Sequence, residues 1–391
     1  MSILFVSYDI NNSFILNELK YYAKNGVKVL VITKSEDIPD SLLSEYIDIN
    51  KLNDKSISAV TISVKKWMLF FCIVCKEVLV NIGNPKYLLN IKAPLLQALH
   101  ELKTAVYLSE KTKQFKISHY YSYWFYDEAL MLSWLCRIGF AKAFISRAHA
   151  FDIYEEHRKH GLIPFRSFVF RQVKSVFAVS EDGKAYLCKK HNPFREKIKT
   201  HKLGIENQSQ IDFTPPTHLK IISCGAVQRR KRTKLIHELV KDIPGVEWTH
   251  IGDGPQMNEY FGKIDFKEKP GIKILGGMSN EEVLNNYRNN QYSLFISLSE
   301  NEGIPVSIME AISFGIPVIA TDVGGCREIV TPETGLLIPV YFNLQQLKLT
   351  ITQFMNSQMN TAEFREGVHL FWSQNFNADI NYRRFLKEAL S

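Results

Sequence analysis

Glu302 and Glu310 stand with seven residues between them in ENEGIPVSIMEAISFGIPVIATD (300–322), the only acids between Glu300 and Asp322 in an otherwise apolar stretch. A carboxylate accepts two hydrogen bonds at once, so a pair of them can hold two vicinal diols. The flanking runs YSLFISLS (292–299) and PVIATD (317–322) are short, apolar and β-branched, which predicts two buried parallel strands. Between them Pro305 suits the first turn of a helix and Gly315 the position just past its end. Glu302 then falls in the loop at the carboxyl end of a strand, where open α/β sheets bind ligands, and Glu310 in the helix that follows. The turn Gly303-Ile304-Pro305-Val306-Ser307 opens that helix, so its backbone offers a phosphate cradle. A carboxylate would repel that phosphate, and both glutamates are therefore expected to face hydroxyls of one ligand. A nucleotide sugar carries a diol on the hexose and another on the ribose. Spacing alone is also met by a Glu302 that caps the helix and a solvated Glu310.

Other chemistry-bearing residues lie at the ends of further strand-like runs. SCGAVQRRKRTK (223–234) gives a tight turn at Gly225 and then Arg229, Arg230, Lys231 and Arg232, cations suited to a diphosphate. A nucleic-acid patch is the competing reading, but no aromatic stacking residues accompany the run. His149 ends AFISRAH (143–149), and Asp152 follows at H-x-x-D spacing. The loop Ser7-Tyr8-Asp9-Ile10-Asn11-Asn12-Ser13 follows the first strand, which places Asp9, Asn11 and Asn12 at a ligand-facing rim.

The stretch EGIPVSIMEAISFGIPVIATDVGGCREIV closely resembles the E-x7-E signature of glycosyltransferase family 4, retaining enzymes of GT-B fold. The resemblance extends to GDGP (252–255), LGGMS (275–279) and RAHAFD (147–152), and is strongest to enzymes that build bacterial surface polysaccharides. It implies an α/β chain of two Rossmann-like, doubly wound domains facing across a cleft. Residues 1–205 would bind the acceptor and 206–370 the nucleotide sugar, with 371–391 a helix crossing back to the first domain. By the same resemblance Glu302 contacts the donor hexose and Glu310 the ribose, with the base near Gly252, Leu275, Gly277 and Met278. Gly225, Gly303, Ile304, Pro305 and Val306 line the diphosphate. Lys231 matches the lysine of a G-R-x-x-x-x-K motif, but Ala226 stands where its arginine would be, which leaves Arg230 or Arg232 to supply the guanidinium. His149 would touch the transferred sugar, although Ala150 replaces the usual glycine; Arg147, Asp152, Asp9, Asn11 and Asn12 would lie on the acceptor side.

These residues need two sheets to position them. The chain has 391 residues and 46% hydrophobic content, enough for two cores. Strand-like runs at 3–7, 27–33, 143–149 and 175–180 precede others at 219–226, 246–253 and 272–277, and HKLGIENQSQIDFTPPTH (201–218) is the turn-rich seam. No D-x-D triplet occurs, and His157 and His160 lack a third ligand, so neither metal nor cofactor is expected beyond the nucleotide sugar itself. A UDP-sugar is favoured over a GDP-sugar, and no nucleic acid is expected. Cys72 and Cys75 have C-x-x-C spacing without a second pair, which reads as packing rather than zinc.

Charge is uneven. Residues 1–200 carry 29 Lys+Arg against 19 Asp+Glu, whereas residues 201–391 carry 19 against 21. Much of the excess lies in 65–103, where Lys65, Lys66, Lys76, Lys86, Lys92 and Lys103 interleave with aromatic and aliphatic residues. That pattern suits an anionic membrane surface, and equally an amphipathic helix whose lysines are its wet face. With no signal peptide and no run near ~20 apolar residues, the expectation is a cytoplasmic protein, peripheral on the inner face of the membrane. Its acceptor would be a saccharide on a polyprenyl diphosphate. Two alternatives stay open: a GT-B sugar-nucleotide epimerase, and a noncatalytic basic module binding membrane or nucleic acid.

Overall fold

Runs of Ile, Leu, Val and Phe that are apolar on both faces can be buried only in a sheet covered on both sides, and parallel sheets are the usual solution. The computed structural model describes residues 2–42, 44–158, 161–209, 211–262 and 271–390. Its first sheet contains β1 (Ser2–Val6), β2 (Lys28–Thr33), β3 (Ile47–Lys51), β4 (His119–Ser122), β5 (Phe144–Ala148), β6 (Val173–Ala178) and β7 (Ile198–Thr200), in the order β3-β2-β1-β4-β5-β6-β7. The second contains β8 (Lys220–Cys224), β9 (Glu247–Ile251), β10 (Ile272–Ile274), β11 (Leu294–Ser297), β12 (Val318–Thr321) and β13 (Gly335–Ile338), in the order β10-β9-β8-β11-β12-β13. Every pairing between these strands is parallel, with Ile3 opposite Val29 in one sheet and Leu294 opposite Ile221 in the other. The strand order reverses between β1 and β4, and again between β8 and β11. Those switch points open crevices at the carboxyl ends of the strands.

The chain divides into two compact units, Met1–Lys202 with Tyr382–Ser391, and Leu203–Asn381. The first core gathers Leu4, Ile32, Leu102, Trp134 and Val176; the second gathers Ile221, Trp248, Leu294 and Ile319. Residues 371–391 are not one helix. Helix Ala362–Asn375 ends before Phe376, and helix Ala378–Ala389 starts after Asn377. Ile205 pairs with the break between them, its N–H donating to the Phe376 carbonyl (2.8 Å) and its carbonyl accepting from the Ala378 N–H (3.0 Å). Gly204 is required there, because a Cβ on it would lie 2.3 Å from Ala378 Cα.

The first unit is organised around a buried ion pair. Arg147 on β5 and Glu18 on helix Ser13–Lys24 meet at 3.1 Å with both side chains fully buried. The arginine also donates to the Tyr121 hydroxyl (3.0 Å) and to the His201 carbonyl (3.1 Å), and its guanidinium lies 4.1 Å from the Phe385 ring centre. Glu18 in turn accepts from the Tyr22 and Tyr121 hydroxyls. One guanidinium thus joins the first helix, β4, β5 and the last helix. Removing its partner leaves a buried charge uncompensated, at a cost of ~3–5 kcal/mol. Glu18→Gln is therefore expected to lower the denaturant midpoint of the first unit by that order, read by chemical unfolding. A change within ~0.5 kcal/mol, as at an ordinary surface site, would show that the pair is dispensable.

Candidate functional site

The second unit brings the two glutamates and the lysine to one switch point. After β11 the chain runs through Ser299 and Glu300 to Glu302, which is buried, and helix Val306–Ser313 follows. Pro305 is the residue that precedes the helix, one place earlier than its expected first turn, and Gly315 closes the far end at φ +69°. Val306 and Ser307, in the first helical turn, have no intrahelical partner for their N–H groups and can face an anion.

Lys231 lies across the switch point from Glu302, its Nζ 2.5 Å from Glu302 Oε1. Its stem passes over Gly225, where a Cβ would sit 3.8 Å from Lys231 Cε. Two further bonds join the same loops. The Glu300 N–H donates to the Arg230 carbonyl (2.8 Å), and Arg232 grips Glu300 Oε1 with Nε (3.1 Å) and Nη2 (3.0 Å). Arg232 also donates to the Val340 carbonyl (2.8 Å). Arg232, one of the two expected guanidiniums for the diphosphate, thus has its fork engaged by Glu300 and Val340 in this structure. Arg230 is exposed; its Nη1 donates to the Asn301 carbonyl (3.4 Å), and the Gln228 side-chain oxygen accepts from its Nη2 (3.1 Å) and Nε (3.3 Å).

Backbone contacts between loops fix the rim. Gly252, at φ +145°, approaches so closely that a Cβ would stand 2.0 Å from the Gly225 carbonyl oxygen. Gly324, at φ +50°, comes as near to the Glu302 carbonyl, and the Gly325 N–H donates to Gly303 O (2.7 Å). On the other side the Gly252 N–H donates to Gly276 O (2.7 Å), and the Leu275 N–H to His250 O (2.9 Å). Gly252, Leu275, Gly277 and Met278 therefore belong to one contiguous edge, with Leu275 and Gly277 exposed.

Glu310 sits behind that edge. It is buried, and Oε1 accepts from Asn280 Nδ2 at 2.6 Å. Asn280 is a residue that sequence reasoning missed. Its signal was the S-N-E-E run, in which Ser279 and Glu282 form a capping box and set Asn280 in the first turn of helix Asn280–Asn289. Neither glutamate is a simple cap or solvated side chain. Among the described residues no group of three or more His, Cys, Asp or Glu could hold a metal ion.

In the first unit the expected residues separate into two kinds. Asp9 and Asn11 are exposed beyond β1, with Asp9 Oδ1 accepting from the Asn11 N–H (3.0 Å), and Asn12 precedes helix Ser13–Lys24. Arg147 and Asp152 are fully buried, so neither can touch an acceptor. Asp152 instead holds the turn after β5, accepting from the His149 N–H (2.5 Å) and the Phe125 N–H (2.7 Å). Burial pushes its carboxyl up to about 7. His149 is buried, its ring stacked 4.9 Å from Tyr123 and tilted at 51° to Trp124 at 4.5 Å, with no hydrogen bond to either ring nitrogen. Burial and the nearby Arg147 hold its pKa well below the usual value, so the imidazole is neutral. Cys72 and Cys75 are exposed thiols rather than core residues. His160 lies outside the described residues.

Residues 204–368 match the family model described as Glycosyl transferases group 1. A 119-residue segment is 33% identical to the O-antigen biosynthesis glycosyltransferase WbnH of Escherichia coli, covering 30% of this chain and 33% of that protein. The match thus spans about a third of the length of the first curated relatives. Among solved structures, the apo form of the lipopolysaccharide outer core galactosyltransferase WaaB superposes with a TM-score of 0.69 at 14% identity, covering 100% of this chain and 99% of that one. HepE from Anabaena in complex with UDP-glucose gives a TM-score of 0.64 at 15% identity, covering 99% of each chain. The fold is GT-B.

The site also has a titration signature. Burial raises the Glu310 carboxyl from 4.5 to about 7. Between those values the folded state keeps a proton that the unfolded state has lost, so this group makes stability fall as pH rises. His250 works in the opposite sense, burial lowering it from 6.5 to about 4. The wild-type profile sums both, and the difference between wild type and Glu310→Gln isolates the glutamate. That difference should grow against the wild type from pH ~4.5 to ~7 and level off above, read by chemical unfolding across pH. A flat difference would place the Glu310 carboxyl in water.

Proposed function

We propose that this chain is a retaining glycosyltransferase of bacterial surface-polysaccharide synthesis, moving a hexosyl or N-acetylhexosaminyl unit from a nucleoside diphosphate sugar to a saccharide acceptor. The observation that carries the reading is the Lys231–Glu302 contact at the β8/β11 switch point, with Glu310 buried one helix turn beyond it. In this reading the donor takes over both partners. Its diphosphate meets Lys231, the exposed Arg230 and the first N–H groups of helix Val306–Ser313. Its hexose hydroxyls meet Glu302 and its ribose diol Glu310, while the base lies against Leu275–Met278, the loop whose next helix supplies Asn280. Cationic side chains and backbone carry the charge of the leaving group, so the reading calls for no metal or cofactor.

Departure of the diphosphate leaves an oxocarbenium-like sugar. The acceptor hydroxyl attacks from the face the diphosphate vacates and gives its proton to the departing phosphate. A neutral His149 cannot supply charge, and its ring nitrogens, shielded from solvent, must be uncovered before one can meet a sugar hydroxyl. UDP is the favoured nucleotide, supported by the solved relative that holds UDP-glucose.

A panel of UDP- and GDP-sugars tested for binding by calorimetry and for transfer addresses the donor. Lys231→Ala should lose ~10²–10³ in turnover while remaining folded, the effect of removing one preorganised charge. Arg230→Ala should lower turnover without loss of stability, whereas Arg232→Ala should act mainly on stability by freeing Glu300. Wild-type turnover in a folded Lys231→Ala protein would end the assignment.

The acceptor is proposed to be lipid-linked, with the first unit on an anionic membrane surface. Helix Val64–Val80 presents Val64, Met68, Phe71, Cys72, Cys75 and Leu79 to solvent along one stripe, with Met68 68% and Leu79 66% exposed, while Phe70 and Ile73 on the opposite side enter the core. Lysines as a plain wet face do not explain a stripe that is itself apolar. Lys65 and Lys76 flank it, each worth ~1 kcal/mol near anionic lipid. No helix among the described residues is long and apolar enough to cross a membrane. Anionic vesicles should bind the protein at low salt, less so with Phe71→Asp or with Lys65, Lys66 and Lys76 neutralised. Equal sedimentation with neutral vesicles, or none with either, would remove the membrane from the reading.

A further inference from the structure

The first unit contains a cavity of about 310 Å³ that none of the expected site residues lines. It opens beside the loop after β4, between Gln97 on helix Lys92–Lys111, Tyr126 and Asp127 at the start of helix Asp127–Arg137, and Arg158 and Arg166 near helix Arg166–Gln172. Leu130 and Ile163 form part of its apolar wall.

Its two guanidiniums are short of partners. Arg158 lies over the rings of Phe151 (3.5 Å) and Tyr126 (4.6 Å), and its Nε and Nη2 are shielded from solvent with no hydrogen bond. Arg166 is buried; Nη1 donates to the Phe125 carbonyl (2.5 Å) and Nη2 to the Asp152 carbonyl (2.6 Å), while Nε has no partner. Among the described residues neither arginine has a carboxylate within ion-pair distance. Asp152, Glu155 and Asp127 act on these guanidiniums from beyond ion-pair distance, so the contact positions around Arg158 Nε and Nη2 and Arg166 Nε are left without an anion. Burial holds both guanidiniums below their usual range.

The remaining polar groups are neutral or acidic. Gln97 donates one amide N–H to Glu101 (2.7 Å), which leaves its second N–H and its carbonyl oxygen for a ligand. Asp127 supplies a carboxyl, raised by burial to about 6. A ligand that fits must therefore carry an oxyanion for the arginines and hydroxyls for Gln97 and Asp127, with a C–H face for the apolar wall and the Tyr126 ring. A volume of this order accommodates a single pyranose.

We propose that this cavity is a binding subsite for an acidic sugar, a hexuronate or a sugar phosphate unit of the acceptor, with Arg158 as the residue that reads the negative charge. The inference rests on the glycosyltransferase reading for the word acceptor, and on the cavity alone for the ligand chemistry.

The test uses the full chain and four probes in calorimetry: methyl glucuronide, glucose 6-phosphate, methyl glucoside and inorganic phosphate, with UDP as a control. The two acidic sugars should bind at least about tenfold more tightly than methyl glucoside. Arg158→Gln should abolish that preference while leaving UDP binding unchanged, and Asp127→Asn should weaken the acidic sugars without weakening inorganic phosphate. Equal binding of the neutral glucoside, no binding of either acidic sugar, or an acid preference that survives Arg158→Gln in a folded protein would each overturn the proposal. Inorganic phosphate binding as tightly as both acidic sugars would overturn the sugar part. UDP binding retained through any of these failures confines the failure to the subsite; UDP and every UDP- and GDP-sugar failing to bind while acidic sugars do would instead sink the donor reading. Should Arg158→Gln not fold, Arg158→Lys serves: loss of the planar fork should cut the acid preference, and an unchanged preference would overturn the role of Arg158.

Discussion

The ion pair between Lys231 and Glu302 is the contact on which the second unit's chemistry turns. Each group is largely withdrawn from water at the end of a parallel sheet, and each would be costly to leave there alone. Pairing them offsets that cost. The same pairing has a consequence for binding, because a ligand that separates them must offer an anion to the lysine and donors to the carboxylate within a few ångströms. A diphosphate joined to a hydroxyl-bearing sugar does both; a bare phosphate does only one. Under the donor reading proposed above, the pair would select as well as balance charge.

Holding it requires loops packed at backbone distance, which side chains would prevent. Gly225 against Gly252, and Gly324 against Glu302, are approaches at which a Cβ would overlap a carbonyl oxygen. They occur at the carboxyl ends of β8, β9 and β12, where the sheet stops and successive loops must share a narrow rim. Arg232 then fastens the lysine-bearing loop to Glu300 and Val340. Fold and site are coupled here through main-chain proximity, and a substitution at one of these glycines would move the charged residues without touching them.

What the sequence disclosed follows this physical division. The aliphatic strands β1, β2, β5, β6, β8, β9, β10, β11 and β12 were legible from continuous apolar runs, because a sheet buried on both faces leaves that imprint. β4 was not, although it lies at the centre of its sheet, since HYYS carries no aliphatic run and its Tyr121 hydroxyl serves a buried polar network. β3, β7 and β13 are short or at sheet edges and carry little periodicity. In the site, Glu302, Glu310 and Lys231 were legible because their charges stand out against apolar or glycine-rich surroundings. Asn280 was hidden behind an ordinary capping box, and the fates of Arg147, Asp152 and Arg232 depended on burial and partners that linear order does not encode.

The basic character of the first unit shows the same limit from another side. A net positive count suggests a surface property, yet its cations occupy three different physical states. Arg147 is fully buried and neutralised by Glu18, so it contributes to stability and nothing to the external field. Lys65 and Lys76 are exposed beside an apolar stripe, where charge acts over a screening length of ~8–10 Å and invites a surface of opposite sign. Arg158 and Arg166 line a cavity with guanidinium nitrogens that have no hydrogen-bond partner, where the same unit of charge would act at contact distance. For that last kind the desolvation is already present in the protein, and an anion placed there would recover it. Charge counts therefore point to function in this chain only after each cation has been assigned its neighbours.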